Sequence, residues 1–265
     1  MCGIAGYSLS SRSGIERTLA AQALLAAIAE RGADAVGYAY RGPGEVYPTV
    51  VKQRTPASEL LERVAVPAGA TQLLVHVRDY TKGHPSIAAN NHPVRHGPVV
   101  GIHNGIIVND DEVLARHPCA RSEDGMTVDS EAIFAVAAHA ENDARALEEL
   151  RGAMATAWLD EREPELLFLA RGMGRPLWLG EGRDGVFFAS TELALEVLEQ
   201  YCRVRLHKVE VREGTLYALR NGKVARRDLF RPDMSFVEDD PLPSVRAPGE
   251  REFCLHRLAS IAAAA

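Results

Sequence analysis

The sequence predicts an α+β fold in which antiparallel β-sheets are covered by helices. Short apolar runs typical of strands come in groups, and the helical segments stand between these groups instead of alternating strictly with single strands. This order favours antiparallel sheets over a doubly wound parallel sheet. A length of 265 residues, 46% of them hydrophobic, suits one large domain or one domain with an appendage.

The first part of the chain combines predicted strands with two boundary signals. Ser13 and Glu16 have the spacing of a capping box, so a helix is expected to follow and to reach residue 30. Asn104-Gly105 suits a sharp turn, which is expected to end a strand at residue 103. Strands are predicted at 3–9, 36–40, 45–52, 72–77 and 99–103, with a polar loop over 79–97.

Helices and further strands follow before the composition changes. Helices are predicted at 110–116, 130–140, 144–150 and 192–200, and strands at 154–160, 166–170, 177–179, 186–189, 208–211, 215–219 and 223–228. After Phe230, four prolines and an acidic run are typical of a linker. An Ala-rich tail then docks on the domain, docks on a partner or frays, and the first is favoured. We expect a domain over 2–232 and a linker with a tail over 233–265.

Charge and hydropathy exclude several classes of function. The formal net charge is −6 and no Lys/Arg cluster stands out, which argues against binding of nucleic acid. The longest apolar run, residues 20–29, is too short to cross a bilayer, and the N-terminus lacks the basic segment of a signal peptide. We expect a cytoplasmic protein with no membrane partner.

Cysteines and histidines show no metal-binding pattern. The four cysteines lie far apart and form no CxxC pair, which excludes a disulfide framework and a zinc-finger pattern. Histidines concentrate between residues 84 and 103, but no acidic or thiol ligand shares their spacing. Loop and strand-end histidines are therefore the favoured interpretation, and no metal or cofactor is expected. The cysteines are Cys2, Cys119, Cys202 and Cys254.

Cys2 is the candidate nucleophile. The small residue after Met1 permits removal of that methionine, which leaves a free α-amine on the residue that carries the thiol. Such an amine titrates at about pH 7.7–8.0 and can act as a base, so one residue supplies both nucleophile and base. Position alone is weak evidence, because cysteine is also a common small buried residue.

Five sequence blocks follow one another along the chain: CGIAG at 2–6, RGADAVG at 31–37, HVRDYTKG at 76–83 with NNHP at 90–93, HNGII at 103–107, and DSE at 129–131. In this order they resemble the class II glutamine amidotransferases, whose nucleophile is an N-terminal cysteine. That family includes the glutaminase domains of glutamine–fructose-6-phosphate transaminase and glutamine phosphoribosylpyrophosphate amidotransferase. With FAS at 188–190, the resemblance extends over roughly residues 2–195.

The resemblance implies a fold and a catalytic set. The fold is the four-layer αββα sandwich of the N-terminal-nucleophile (Ntn) hydrolases, with two antiparallel sheets between layers of helices. The catalytic residues are Cys2, Asn104 and Gly105. An amide NH₂ and an unobstructed backbone N–H are the kind of donors that a developing oxyanion needs, which fits Asn104 and Gly105.

Four residues form the implied substrate-binding set. Free glutamine presents a carboxylate and an ammonium, so a selective pocket needs a fixed cation and a fixed anion. Arg78 can fork onto the carboxylate, and Asp129 can accept from the ammonium. Arg31, which the family places beside the cysteine, and Thr81 complete the set.

Each site residue also has a purely structural interpretation. Asn104-Gly105 can be a hairpin turn, and Asp129 can cap the helix that follows it. Five blocks in the family order outweigh these readings. Two positions depart from the family pattern: Asp79 stands where the family has Trp, and Lys82 where His is frequent. Closure of this loop over the substrate is therefore expected to differ.

The sequence thus predicts a glutaminase subunit that hydrolyses L-glutamine to glutamate and ammonia through a cysteine thioester. About 35 residues follow Phe230, too few for a synthase domain, so the ammonia acceptor is expected on a separate protein. One alternative is a stand-alone hydrolase of γ-glutamyl amides. Another is a non-catalytic module that senses glutamine, which has no need of an oxyanion hole. The oligomeric state, including a homo-oligomer, is left open.

Overall fold

The computed structural model describes residues 2–117, 123–239 and 243–264. None of the helices in these ranges is long and apolar enough to span a membrane. The strands are β1 (Gly3–Leu9), β2 (Ala35–Arg41), β3 (Thr49–Gln53), β4 (Gln72–Arg78), β5 (Val94–His96), β6 (Val99–Ile107), β7 (Gly152–Asp160), β8 (Leu166–Arg171), β9 (Trp178–Glu181), β10 (Gly185–Ala189), β11 (His207–Glu210), β12 (Thr215–Arg220) and β13 (Lys223–Leu229). The α-helices are α1 (Arg17–Ile28), α2 (Ala57–Leu60), α3 (Asp110–Arg116), α4 (Glu131–His139), α5 (Glu192–Cys202) and α6 (Glu250–Ala264).

The strands form two antiparallel sheets. One sheet has seven strands in the order β11-β9-β10-β1-β4-β2-β3, and the other has six in the order β13-β12-β8-β7-β6-β5. The sheets pack face to face over an apolar layer that includes Ile4, Leu74 and Ile102. Helices α1, α5 and α6 cover the outer face of the seven-stranded sheet, and α4 covers that of the six-stranded sheet. The predicted α+β sandwich of two antiparallel sheets covered by helices is confirmed.

β1 determines where the candidate nucleophile lies. Its residues are all buried, because the strand occupies the centre of its sheet between β4 and β10. Side chains of a strand alternate between its two faces. Ala5 and Tyr7 pack toward α1, whereas Ile4 packs toward the six-stranded sheet. The same alternation places Cys2 on the inner face with Ile4.

The predicted turn at Asn104-Gly105 is wrong. β6 continues through both residues to Ile107 and pairs with β7 along its whole length. The continuous ladder overrides the local turn preference of the Asn-Gly pair. Position 105 nevertheless requires glycine, because of the backbone geometry at the site.

The predicted capping box before α1 is also wrong. Glu16 is itself the N-cap, and its carboxylate accepts the backbone N–H groups of Thr18, at 2.9 Å, and Leu19. The Ser13 hydroxyl accepts instead from the N–H of Ile15, at 3.3 Å. The two signals had the right spacing, but the helix begins one turn later than the box requires.

The C-terminal helix lies against the domain. Its residues Cys254 and Leu258 belong to the same apolar core as α1 and are fully buried. Glu250, in its first turn, accepts hydrogen bonds from the backbone N–H and the hydroxyl of Ser58, at 3.2 and 3.1 Å. Docking on the domain was the outcome favoured from the sequence. The domain boundary at residue 232 stays a prediction.

Leu258→Ala is expected to lower the free energy of unfolding by about 2–4 kcal/mol, because it empties a fully buried leucine site. Equilibrium denaturation in urea measures this change. Ser260→Ala, on the exposed side of α6, is the control and should shift the value by less than about 0.5 kcal/mol. Equal effects of the two substitutions would contradict the docked helix.

Candidate active site

Cys2 lies where three segments meet. Its Sγ is 3.4 Å from the backbone carbonyl oxygen of Asp79, directly after β4. Its own carbonyl oxygen accepts a 2.9 Å hydrogen bond from Nε of Arg31. Gly32 lets the segment of Arg31 pack against the end of β4, since a Cβ at this glycine would lie 2.4 Å from the backbone of Arg78. Burial raises the pKa of the Cys2 thiol, so a base is needed to take its proton at neutral pH.

A narrow cavity opens beside Cys2. Its walls come from the loop after β4, from β6 and from the segment before α4. Of the predicted site residues, it is lined by Cys2, Arg78, Thr81, Gly105 and Asp129. The remaining two are adjacent: Arg31 binds the Cys2 backbone, and Asn104 lies between two lining residues of β6. The fold therefore brings the predicted set together.

The backbone N–H of Gly105 points away from β7. Met154, opposite Gly105 in the ladder, uses its own N–H and carbonyl oxygen on the far side of β7. The alternation of an antiparallel ladder then turns the Gly105 N–H toward the other edge of β6. Two residues further, the N–H of Ile107 binds the Asp129 carboxylate at 2.8 Å on that same edge. The Gly105 donor therefore faces the cavity that this residue lines.

Glycine is required at position 105. Its φ angle is +149°, which side-chain-bearing residues rarely adopt. A Cβ at this position would lie 1.8 Å from the carbonyl oxygen of Ala153. Any other residue would therefore displace the backbone that carries the N–H donor.

Asn104 is fully buried, yet neither its Nδ2 nor its Oδ1 has a hydrogen-bond partner within the described ranges. A buried polar group left unpaired costs about 1–3 kcal/mol, and most such groups in native proteins are paired. By strand alternation the Asn104 side chain lies on the inner face of β6 with Ile102, across from the face of β1 that carries Ile4 and Cys2. An unused amide donor thus lies on the face opposite the nucleophile.

Arg78 is buried and holds the loop that follows it. Its Nη1 donates to Oδ1 of Asn91 at 2.7 Å, and its Nη2 donates to the carbonyl oxygens of Lys82, at 2.9 Å, and Gly83. A guanidinium has five N–H groups, so these bonds leave donors for a ligand. Arg78 is thus a structural tie of the loop as well as a cation in the wall of the cavity.

Asp129 is buried directly before α4. Its Oδ2 accepts from the N–H of Ile107, and the N-cap of α4 is Ser130, which makes no side-chain capping bond. The interpretation of Asp129 as a helix cap is therefore wrong. Burial raises the pKa of Asp129 to about 6, and the neighbouring Asp110 contributes to the increase.

The loop of residues 79–82 is tied at several points, with Thr81 exposed at the mouth of the cavity. The N–H of Tyr80 donates to Oδ2 of Asp34 at 2.9 Å. Lys82 forms an ion pair with Asp110. Asp34 and Asp110 thus hold the loop from the domain itself.

Histidines at the site were not predicted as functional residues. His92 and His103 line the cavity, and His76 donates from Nε2 to the carbonyl oxygen of His103 at 3.0 Å. The rings of His76 and His92 stack with centroids 4.2 Å apart. Burial lowers the pKa of both His76 and His103 to about 3, so both are neutral. The signal in the sequence was their place inside the matched blocks.

Neither metal ligation nor another reactive thiol is seen in the described residues. Within them, no group of three or more His, Cys, Asp or Glu side chains is arranged to hold a metal ion. Burial raises the pKa of both Cys202 and Cys254 to about 12, which makes them unreactive. Cys119 lies outside the described residues.

Comparison with known proteins identifies the domain. A family model described as a glutamine amidotransferase domain matches residues 80–197. The chain contains a glutamine amidotransferase domain. Glutamine phosphoribosylpyrophosphate amidotransferase from B. subtilis, solved with ADP and GMP, has the same fold, with a TM-score of 0.66 and 19% identity over 86% of this chain and 49% of that one. This fold likeness agrees with the class II, Ntn-type assignment.

Curated relatives of this glutamine amidotransferase domain are longer proteins. Glutamine–fructose-6-phosphate aminotransferase (isomerizing) of Salmonella typhi is 39% identical over 134 residues, which is 46% of this chain and 21% of that protein. The enzyme of the same name from Aliivibrio fischeri is 32% identical over 209 residues, 74% of this chain and 32% of that protein. The chain therefore spans a third or less of the length of these enzymes.

Asn104→Ala is expected to change the free energy of unfolding by less than about 1 kcal/mol, because no hydrogen bond is lost. Asn90→Ala is the matched control. Its Oδ1 accepts from the N–H of Thr127 at 2.7 Å, so its removal should cost about 1–3 kcal/mol. Urea denaturation of both variants measures the difference. An Asn104→Ala cost as large as the control would mean that this amide is bonded in solution.

Proposed function

We propose that this glutamine amidotransferase domain hydrolyses L-glutamine to glutamate and ammonia with Cys2 as the nucleophile. The observation that carries the proposal is the unpartnered buried amide of Asn104 across from Cys2, next to the cavity-facing N–H of Gly105. A buried side-chain amide beside a backbone N–H is an arrangement of donors that stabilises an oxyanion. A module that only senses glutamine has no use for them, so the pair favours catalysis.

The proposed reaction begins with proton transfer. After removal of Met1, the free α-amine of Cys2 takes the thiol proton, and Sγ attacks the side-chain amide carbon of glutamine. The carbonyl oxygen becomes an oxyanion that accepts from Asn104 Nδ2 and the Gly105 N–H. Collapse breaks the C–N bond, the ammonium returns its proton to the leaving nitrogen, and ammonia departs from a thioester. Water then attacks the thioester, releasing glutamate and the thiol.

Recognition of free glutamine is assigned to charged residues of the cavity wall. Arg78 has guanidinium donors beyond those that hold its loop, and we assign the α-carboxylate to them. Asp129 has one carboxylate oxygen on Ile107, and we assign the α-ammonium to the other. Thr81 lies at the mouth, and Arg31 holds the backbone of Cys2. We expect all four to support binding.

The acceptor of the ammonia is proposed to lie on another protein. The relatives named glutamine–fructose-6-phosphate aminotransferase extend well beyond the part that this chain matches. The alternative is a γ-glutamyl amide hydrolase, in which the same residues would act on a substrate with a larger leaving group.

Cys2→Ala should abolish glutamine hydrolysis without unfolding the chain, because the nucleophile alone is lost. Ammonia release from the purified protein measures activity, and mass spectrometry reports removal of Met1. A glutamine-like electrophile should label Cys2 in the wild-type chain. The control variant Cys202→Ala should be labelled to the same extent as wild type.

Three outcomes would contradict these assignments. Labelling at Cys202 or Cys254, or full activity of Cys2→Ala, would exclude Cys2 as the nucleophile. A clear preference for a γ-glutamyl amide over glutamine in the same assay would favour the stand-alone hydrolase.

The pH dependence of kcat/KM should show two protonations. The amine must be unprotonated, so kcat/KM falls tenfold per pH unit below about pH 8. Asp129 must be ionised to hold an ammonium, and its pKa is about 6. Below that pH the fall should steepen to about a hundredfold per unit.

Asp129→Asn tests the second protonation, because it keeps an acceptor for the Ile107 N–H but loses the charge. It should raise KM, by an equivalent of about 2–5 kcal/mol if the pair is desolvated, and keep the single slope at acid pH. An unchanged KM together with the steep wild-type profile would remove Asp129 from the recognition set.

A further inference from the structure

The C-terminal segment reaches the neighbourhood of the nucleophile before α6 begins. The backbone N–H groups of Arg246 and Ala247 both donate to the carbonyl oxygen of Glu30, at 2.9 Å each. The Glu30 side chain forms an ion pair with Arg251. Glu30 directly precedes Arg31, which binds the Cys2 carbonyl. The segment is therefore fastened one residue away from a residue that holds the nucleophile.

From this fixed position the Arg246 side chain reaches the substrate loop. Its Nε lies 3.0 Å from Oδ2 of Asp79, across 167 positions of sequence. The Asp79 side chain is 11% exposed and that of Arg246 39%. The backbone carbonyl oxygen of Asp79 is the atom that faces the Cys2 thiol. The ion pair thus acts on the residue whose backbone contacts the nucleophile.

A second contact lies on the other side of residues 240–242. Glu238 forms an ion pair with the buried Arg175 at 2.8 Å. Arg175 is close enough to the site for its charge to act on His103, which lines the cavity. We call residues 233–264 the C-terminal extension. Its two described stretches, 233–239 and 243–264, thus both form arginine–carboxylate pairs near the cavity.

We propose that Arg246 is a positioning residue for glutamine binding, which holds the loop of residues 79–82 over Cys2 through its ion pair with Asp79. The proposal rests on the glutaminase function proposed above. Lys82 and Tyr80 tie the rest of the loop to Asp110 and Asp34 within the domain. Asp79 is tied by the C-terminal extension, which makes that extension part of the substrate site.

The expected effect is on binding more than on chemistry. When the loop samples open states, only a fraction of the protein is competent to bind glutamine. The apparent dissociation constant then equals the intrinsic dissociation constant divided by that fraction. Releasing Asp79 lowers that fraction in the free enzyme, whereas glutamine restores the closed loop once bound. KM therefore rises, and kcat changes little.

The experiment compares full-length variants in glutamine hydrolysis. Arg246→Ala should raise KM about fivefold to tenfold with kcat within about twofold of wild type, while Arg246→Lys should recover most of the loss. The double variant Asp79→Asn with Arg246→Ala should be no worse than Asp79→Asn alone, because Arg246 acts through Asp79. Arg257→Ala, which breaks an ion pair between α6 and Glu62, is the control and should match wild type.

Hydrogen exchange of the backbone amides at residues 80–83 gives a readout that needs no activity. These amides should exchange faster in Arg246→Ala than in Arg257→Ala. Equal KM values or equal exchange in those two variants would overturn the proposal. If the wild-type chain hydrolyses no glutamine while the two variants still differ in exchange, the proposed function is overturned. The contact between Arg246 and the loop is then still supported.

Discussion

The site depends on the face-to-face packing of the two sheets. Side chains of β1 and β6 that point inward share one layer, apolar around Ile4 and Ile102 and polar at the end where Cys2 and Asn104 lie. Because strand side chains alternate with a period of two, a shift of one residue in β1 would turn Cys2 toward the helices and bury Gly3 in its place. The burial of apolar side chains that closes the sandwich therefore also fixes the register of β1. That register determines the direction of the Cys2 thiol.

The polar end of this layer is incompletely paired. Asn104 has no partner for either amide atom, and neither ring nitrogen of His92 has one in the described part of the chain. Folding alone does not favour such groups, since each unpaired buried atom is destabilising. The large cores on both sides of the sheets offset that cost. Unpaired donors beside Cys2 can stabilise negative charge that develops during a reaction. The same groups therefore lower the stability of the fold and serve the proposed function.

The loop over the nucleophile shows how two departures from the family pattern fit together. Asp79 and Lys82 introduce opposite charges at the two ends of the loop, and each has a counter-ion: Arg246 for the first and Asp110 for the second. Where the family has tryptophan, this chain has Asp79, which is held by the ion pair with Arg246 of the C-terminal extension. Partly exposed pairs of this kind contribute little to global stability. Their effect is local, on the geometry of a few backbone atoms.

The sequence by itself determined the fold class and most strands and helices, and it supplied the candidate site residues, because periodicity and ordered motifs are local properties. It failed at Asn104-Gly105, where pairing with β7 overrides a turn preference, and at β5, which lies in a stretch predicted as loop. It also could not show that Arg78 ties its own loop, that His76 links β4 to β6, or that Arg246 reaches Asp79. These contacts join residues distant in sequence, and burial and hydrogen-bond partners exist only once the two sheets have packed, so the tertiary structure alone decided them.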